Sequence, residues 1–520
     1  MHNAVFQRTP LLAGDDCEQK RTEILRYFQA TFDHYEQLFE VLTCDEAYVK
    51  KPISLRHPLI FYLGHTATFF INKLLLAGLI ERRINPAFES MFAIGVDEMS
   101  WDDLNDARYD WPSVAAVKDY RQQVRATVSR LIETLPLQLP IGWDHPWWII
   151  VMGVEHERIH LETSSVLIRQ HELRYVKPHP AWAPCRTAGV APANALVAVP
   201  SADVRLGREL DDPWVYGWDN EFGRHSATVA PFQASRYLVT NQEFLAFVEA
   251  GGYADDTLWQ EEGAAWKTFA RAEHPTFWVK DGAGWRLRLM LEEVPMPWDW
   301  PVEVNQLEAE AFCRWKAAQT GLSVQLPCEA EWYQLRQQVA VDQPDWPQAP
   351  GNINLEYWAS SCPVDLFAQG DFFDLLGNVW QWSSSAIDGF DGFCIHSLYD
   401  DFSTPTFDGK HNLIKGGSWI STGNLALRHS RYAFRRHFFQ HAGFRYVVSS
   451  YRETESVNPY ETDALVAQYL DAHYGPDYFG VANYAQALAQ LASRYVPAGG
   501  KALDLGCSVG RASLELARHC

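Results

Sequence analysis

Residues 146–172 read PWWIIVMGVEHERIHLETSSVLIRQHE, and inside them His156-Glu157-Arg158-Ile159-His160 spells HExxH. Apolar residues recur here at three-to-four spacing, the period of an amphipathic helix, and Pro146 suits an early helical position. On such a helix residues four apart project from one face, so His156 and His160 can share a metal ion. With His156 set at 0°, the helical wheel puts His160 at about 40°, Glu157 at about 100° and Glu162 at about 240°. Glu157 therefore flanks the pair, and Glu162 faces away and is not counted as a ligand. A zinc-peptidase reading would make Glu157 a general base. A metzincin would need Gly at 163 and His at 166, where this chain has Thr163 and Val166. A gluzincin would need a Glu from a following helix, where this chain enters a proline-rich stretch.

Three further segments share the helical period: Asp16–Leu42, Pro58–Ile80 and Trp111–Leu135. With 146–172 they predict a four-helix bundle over residues 15–178, an architecture that builds metal sites from inward-facing side chains on different helices. Pro58–Ile80 is long enough to span a bilayer, but His65, Asn72 and Lys73 interrupt it, which points to a buried core helix. His65 lies mid-helix among apolar residues, where an unpaired imidazole is costly. That makes it the third ligand beside His156 and His160. Three neutral imidazoles suit Fe, Cu, Ni or Zn and leave positions open for substrate and O2.

After residue 175 the texture changes. Residues 176–200 hold five prolines and read as a linker. Short strand-like pieces, many turns and abundant Trp and Gly follow, with one clear helix at Val304–Thr320, predicting an irregular α+β domain over 195–450. From 458 onward Tyr460–Tyr474 and Tyr484–Tyr495 look helical. Lys501–Leu505 then reads as a strand leading through Asp504, Gly506 and Gly510 into a helix at Arg511–Arg518. Strand, glycine turn and helix N-terminus make the opening of a nucleotide- or S-adenosylmethionine-type site, so 458–520 is expected to be the truncated start of a Rossmann-like domain.

The net charge of −21 opposes any general attraction to nucleic acid or anionic lipid. The nine cysteines are scattered with no CxxC, against both a disulfide framework and a cysteine zinc site. No signal segment opens the chain. The expectation is a cytoplasmic enzyme acting on small molecules, with neither nucleic acid nor membrane as partner.

Gly64-His65-Thr66 with the His156/His160 pair resembles the DinB-like bundle of the nonheme-iron sulfoxide synthases. The second domain resembles the formylglycine-generating-enzyme fold, a C-type-lectin-like architecture. Its marks, in order, are Val239-Thr240-Asn241, Leu326-Pro327-Cys328-Glu329-Ala330-Glu331-Trp332, Gly377-Asn378-Val379-Trp380-Gln381-Trp382, Gly416-Gly417-Ser418-Trp419 and Gly443-Phe444-Arg445. True formylglycine generators use a late cysteine pair, and no cysteine stands between Gly416 and Arg445. Within the synthases, the ergothioneine branch joins a cysteine sulfur to trimethylhistidine (hercynine). The ovothiol branch joins cysteine to histidine, giving 5-histidylcysteine sulfoxide, and carries a C-terminal methyltransferase. Residues 503–511 are similar to methyltransferase motif I, with Ser508 where the pattern usually has Gly, and so favour the ovothiol branch.

The resemblance implies Fe(II) on His65, His156 and His160, and S-adenosylmethionine at Asp504, Gly506 and Gly510 of the complete C-terminal domain. It also implies a tyrosine near the iron as proton or electron donor, with Tyr399 the first candidate and Tyr432 the second. The basic, aromatic stretch LRHSRYAFRRHFFQHAGFR (427–445) offers Arg431, Arg435 and Arg436 as substrate carboxylate clamps. The competing expectations are the ergothioneine-branch synthase, an HExxH zinc peptidase and a non-catalytic lectin-like binding module.

Overall fold

Short polar side chains cap three of the six described helices of the N-terminal bundle. Asp16 accepts from the Gln19 N–H to start α1 (Cys17–Phe39), and a one-turn α2 (Glu46–Val49) follows. Pro58 precedes α3 (Leu59–Leu76), and Asn85 caps a short α4 (Pro86–Met91). Ser113 caps α5 (Val114–Thr134), and His145 with Pro146 opens α6 (Pro146–Gln170). The computed structural model describes residues 8–93, 109–211, 215–339, 344, 346–400, 402–422, 424–451, 463–476, 483–495, 499–504 and 508–519.

α3 packs against both α5 and α6, and α1 against α5 and α6. Long and apolar as it is, α3 is mostly buried within this bundle. One glycine sets how closely α3 and α6 approach. A Cβ on Gly153 would stand 2.2 Å from the Phe70 ring of α3, so any larger residue would push apart the two helices that carry the histidines.

The proline-rich stretch is not a free linker. Lys177 N–H donates to Val41 O at 2.9 Å, Cys185 N–H donates to Ser360 Oγ at 2.9 Å, and Trp182 is buried. It delivers the chain to Leu196–Val199, the edge of an antiparallel four-stranded sheet. That sheet continues through Phe232–Ser235, Val447–Val448 and Val324–Gln325, so the first and last strands of the second domain lie one strand apart. A second four-stranded sheet runs Tyr432–Arg435, His411–Lys415, Trp380–Ala386 and Ala442–Gly443, the last pair parallel.

Among its described residues the second domain carries four α-helices rather than the single one expected: α7 (Asn241–Glu249), α8 (Glu261–Ala270), α9 (Gln306–Thr320) and α10 (Glu329–Arg336). The sequence marks have structural work here. Thr240 caps α7, while Cys328 and Glu331 form the capping box of α10. Asn378, at φ +66°, bonds both backbone groups of Cys362, and buried Arg445 donates to Gln381, Ser235 O and Phe373 O.

Residues up to Arg452 form one compact unit that includes the bundle and the lectin-like domain, and Glu453–Cys520 form another. The second unit holds α11 (Asp463–Tyr474), α12 (Tyr484–Ser493) and α13 (Arg511–Leu516). Gly510, at φ +81°, precedes α13, and Asp504 accepts from Ser513 Oγ at 2.6 Å. The strand expected from Lys501 is not formed over 501–504, since no neighbouring strand pairs with it among the described residues, and Gly506 lies outside those residues.

Candidate metal centre

α3 presents His65 and α6 presents His156 and His160, and one ring nitrogen from each lies within 4.8 Å of the other two. Nε2 of His160 stands 3.2 Å from Nε2 of His156. Two nitrogens on one ion, about 2.0–2.1 Å from it and at about 90–109° to each other, would lie about 2.9–3.4 Å apart. His65 Nδ1 is 2.7 Å from Phe92 O, a bond that fixes this nitrogen as the N–H and turns Nε2 toward the other rings. Burial, then the neighbouring His160, His65 and Lys73, push His156 well below the ordinary histidine range, which keeps it neutral with a lone pair to offer. His156 Nδ1 is buried and has no hydrogen-bond partner among the described residues. The donor set fits a metal.

Aromatic rings fix the imidazoles. Phe69 stacks on His156 at 3.7 Å between centroids and 9° between planes, and Phe61 stacks on His65 at 5.0 Å. These residues form one side of a cavity of about 390 Å³. Its other side comes from the lectin-like domain and includes Asn220, Tyr399, Phe402, Tyr432 and Phe434. The Tyr399 ring lies 4.9 Å from Phe69 and 6.1 Å from His156, while Tyr432 packs on Trp380 and Phe434.

Glu157 and Glu162 of α6 are held in buried hydrogen bonds away from the cavity. Glu157 is fully buried and accepts from Arg121 of α5 at 2.6 Å, and it does not line the cavity. Arg121 also donates to Leu63 O and Thr66 Oγ1, bracing α3. Burial works against the Arg121 charge, but Glu157 and Glu36 outweigh it and raise its pKa. Glu162 faces the lectin-like domain, where it accepts from Ser418 Oγ and Ser421 Oγ at 2.8 Å each and from Trp380 Nε1 at 2.5 Å. Burial pushes its carboxyl up to about 7 against these three bonds. Arg169, two turns on, pairs with Glu303 at 2.5 Å.

Two of the expected arginine clamps, Arg431 and Arg436, are bonded within the protein. Arg431 touches the cavity, but its guanidinium pairs with Glu329, donates to Asn220 O and Asp388 O, and stacks 3.8 Å over Phe390. Arg436 bonds Glu262, Asn412 and Gly409 O, and neither it nor Arg435 lines the cavity. Sequence reading missed Phe69, Lys73 and Asn220. The first two were detectable, since they follow His65 at four and eight residues on one helix.

Residues 184–450 match the model of the sulfatase-modifying factor enzyme 1-like domain, and residues 27–164 match the DinB superfamily. A hercynine oxygenase of Mycolicibacterium smegmatis is 28% identical over 442 residues, covering 78% of this chain and 94% of that protein. The hercynine oxygenase of Mycolicibacterium thermoresistibile is 28% identical over 473 residues, covering 84% and 97%. Ergothioneine biosynthesis protein 1 of Neurospora crassa is 24% identical over 497 residues, covering 77% of this chain and 55% of that protein.

Proposed function

We propose, for a chain that belongs to the sulfatase-modifying factor enzyme 1-like domain family and joins that domain to a DinB-like bundle, that it is an iron- and O2-dependent sulfoxide synthase. The observation that carries this reading is the three-histidine cluster, His156 and His160 buried and His65 half-buried, facing a cavity that both domains wall. His65, His156 and His160 would hold Fe(II), which supplies O2 activation when bound. The reaction balances as thiol plus imidazole C–H plus O2 giving an aryl sulfoxide and water. The S–H and C–H bonds break, the C–S and S–O bonds form, and O2 accepts all the electrons.

The chain's own residues position and shield. The aromatic walls keep water from the reacting groups and hold the imidazole carbon beside the sulfur, replacing an encounter in solution by a set geometry. The Tyr399 hydroxyl is the first candidate to deliver a proton, with Tyr432 second. Glu157, locked to Arg121, is not placed to serve a metal-bound water, which counts against the peptidase reading.

For the imidazole substrate, the relatives' names move the first choice from histidine to hercynine. No Asp or Glu is among the described residues lining the cavity, whereas Phe61, Phe69, Phe92, Phe402 and Phe434 line it, and aromatic rings suit a trimethylammonium group. Histidine, the ovothiol-branch substrate, stays as the second reading. The motif-I-like stretch around Asp504 and Gly510 supports it, as the start of a methyltransferase domain that would bind S-adenosylmethionine when complete. The described cysteines are free thiols, which suits a cytoplasmic enzyme.

Anaerobic loading with Fe(II), then O2 with cysteine and either imidazole, tests the proposal. An adduct with the mass of both substrates plus O2 minus water supports it, and the accepted imidazole assigns the branch. Zinc-dependent peptide cleavage without an adduct would overturn it.

A further inference from the structure

We propose that Lys73 binds the α-carboxylate of an amino-acid substrate in this cavity, an inference that rests on the sulfoxide-synthase reading and assigns it a substrate-binding group. Lys73 lies two turns after His65 on α3 and lines the cavity. Its ammonium sits 4.2 Å from the Tyr399 ring centroid and 5.4 Å from that of Phe69, the ring stacked on His156. The charge therefore stands beside the histidine cluster, between aromatic faces from both domains.

Both amino-acid substrates carry a carboxylate, and enclosing one in a largely aromatic cavity is costly without an opposing charge. Apart from the three histidines, the cationic side chains among the described lining residues are Lys73 and Arg431. The Arg431 guanidinium is committed to Glu329, two backbone carbonyls and the Phe390 ring. The buried Oδ1 of Asn220 also belongs to this wall and has no partner among the described residues, but it is an acceptor and serves a substrate nitrogen. The position of the Lys73 ammonium, in the cavity wall and beside the ring stacked on His156, assigns it the carboxylate.

The test compares Lys73→Met and Lys73→Arg with wild type on acids and their decarboxylated counterparts: cysteine against cysteamine, and hercynine or histidine against the corresponding imidazole amines. Wild type is expected to prefer the acid of one pair by about 10–100-fold in kcat/KM, and Lys73→Met to reduce that preference to within about 3-fold. The loss should fall on KM for the acid, leave the amine unchanged, and be largely restored in Lys73→Arg. The pair that responds identifies which substrate Lys73 holds. Equal losses on acid and amine would mean that Lys73 only supports the Tyr399 ring, and would overturn the proposal. Calorimetric binding of the same pairs without O2 decides the point apart from turnover, because discrimination that survives in Lys73→Met refutes it. Absence of any adduct from wild type would instead sink the synthase reading alone.

Discussion

The Arg121–Glu157 pair permits a double-mutant cycle that separates a structural glutamate from a catalytic one. Both side chains are fully buried and 2.6 Å apart. Removing one member of such a pair leaves a buried charge uncompensated, at about 3–5 kcal/mol. Arg121→Met should reach the upper end, because it also strips donors from Leu63 O and Thr66 Oγ1, each bond contributing about 0.5–1.5 kcal/mol. Glu157→Leu should stay near the lower end, about 3 kcal/mol, because Glu36, at 3.5 Å, remains as a counter-charge for Arg121. The double variant Arg121→Met/Glu157→Leu puts apolar volume where both charges stood and should lose only about 0–2 kcal/mol, far less than the sum of the singles. Urea unfolding at neutral pH, read by far-UV circular dichroism, measures all four proteins, with Fe(II) binding followed in parallel. Additive losses, or a stable Glu157→Leu protein that binds iron fully yet has no activity of any kind, would refute the structural assignment of Glu157.

Two further predictions concern the carboxylates that tie α6 to the lectin-like domain. Glu162→Gln should leave Fe(II) occupancy nearly unchanged. The Glu162 carboxyl is raised to about 7, so its contribution is present at low pH and lost as pH rises through that value, and the Gln variant should flatten this part of a denaturation-midpoint-against-pH profile. A large loss of iron would restore a two-histidine, one-carboxylate site. Glu303 behaves oppositely. Burial would raise its carboxyl, but Arg169 and His441 prevail and hold it at about 2, so its contribution of about 3 kcal/mol is present above pH 4.5 and lost as pH falls toward 2. Glu303→Gln should destabilise at neutral pH and lose that acid-side decline, and an unchanged acid limb would contradict the assignment.

The helical period was enough to place α6 and to set His156 and His160 on one face with Glu162 on another. The cost of an unpaired imidazole in the apolar α3 was enough to bring in His65. A helical wheel separates faces but does not say what covers them, so the burial of α6 on all sides, with Glu162, Arg169 and Glu155 bonded to or into the second domain, was not legible. The partners of Arg431 and Arg436 were hidden for a related reason. Glu329 for Arg431 and Glu262 for Arg436 lie more than a hundred residues away in sequence, and charge alone does not reveal such pairings. Lys73 was read as a polar interruption of an apolar helix, though its spacing from His65 brings it to the same cavity. The proline-rich stretch looked like a linker because composition registers missing regular structure, not the docking of Trp182 and Cys185.

In the proposed iron site His65, on a different helix and ninety-one residues before His156, is the third imidazole. Anaerobic Fe(II) titration of wild type, His65→Ala and His156→Ala tests it directly, with the circular dichroism spectrum confirming that each variant folds. His65→Ala is expected to weaken iron binding as severely as His156→Ala, beyond the roughly 10–100-fold that a residue merely supporting a ligand costs. Wild-type iron affinity in a folded His65→Ala protein would contradict it.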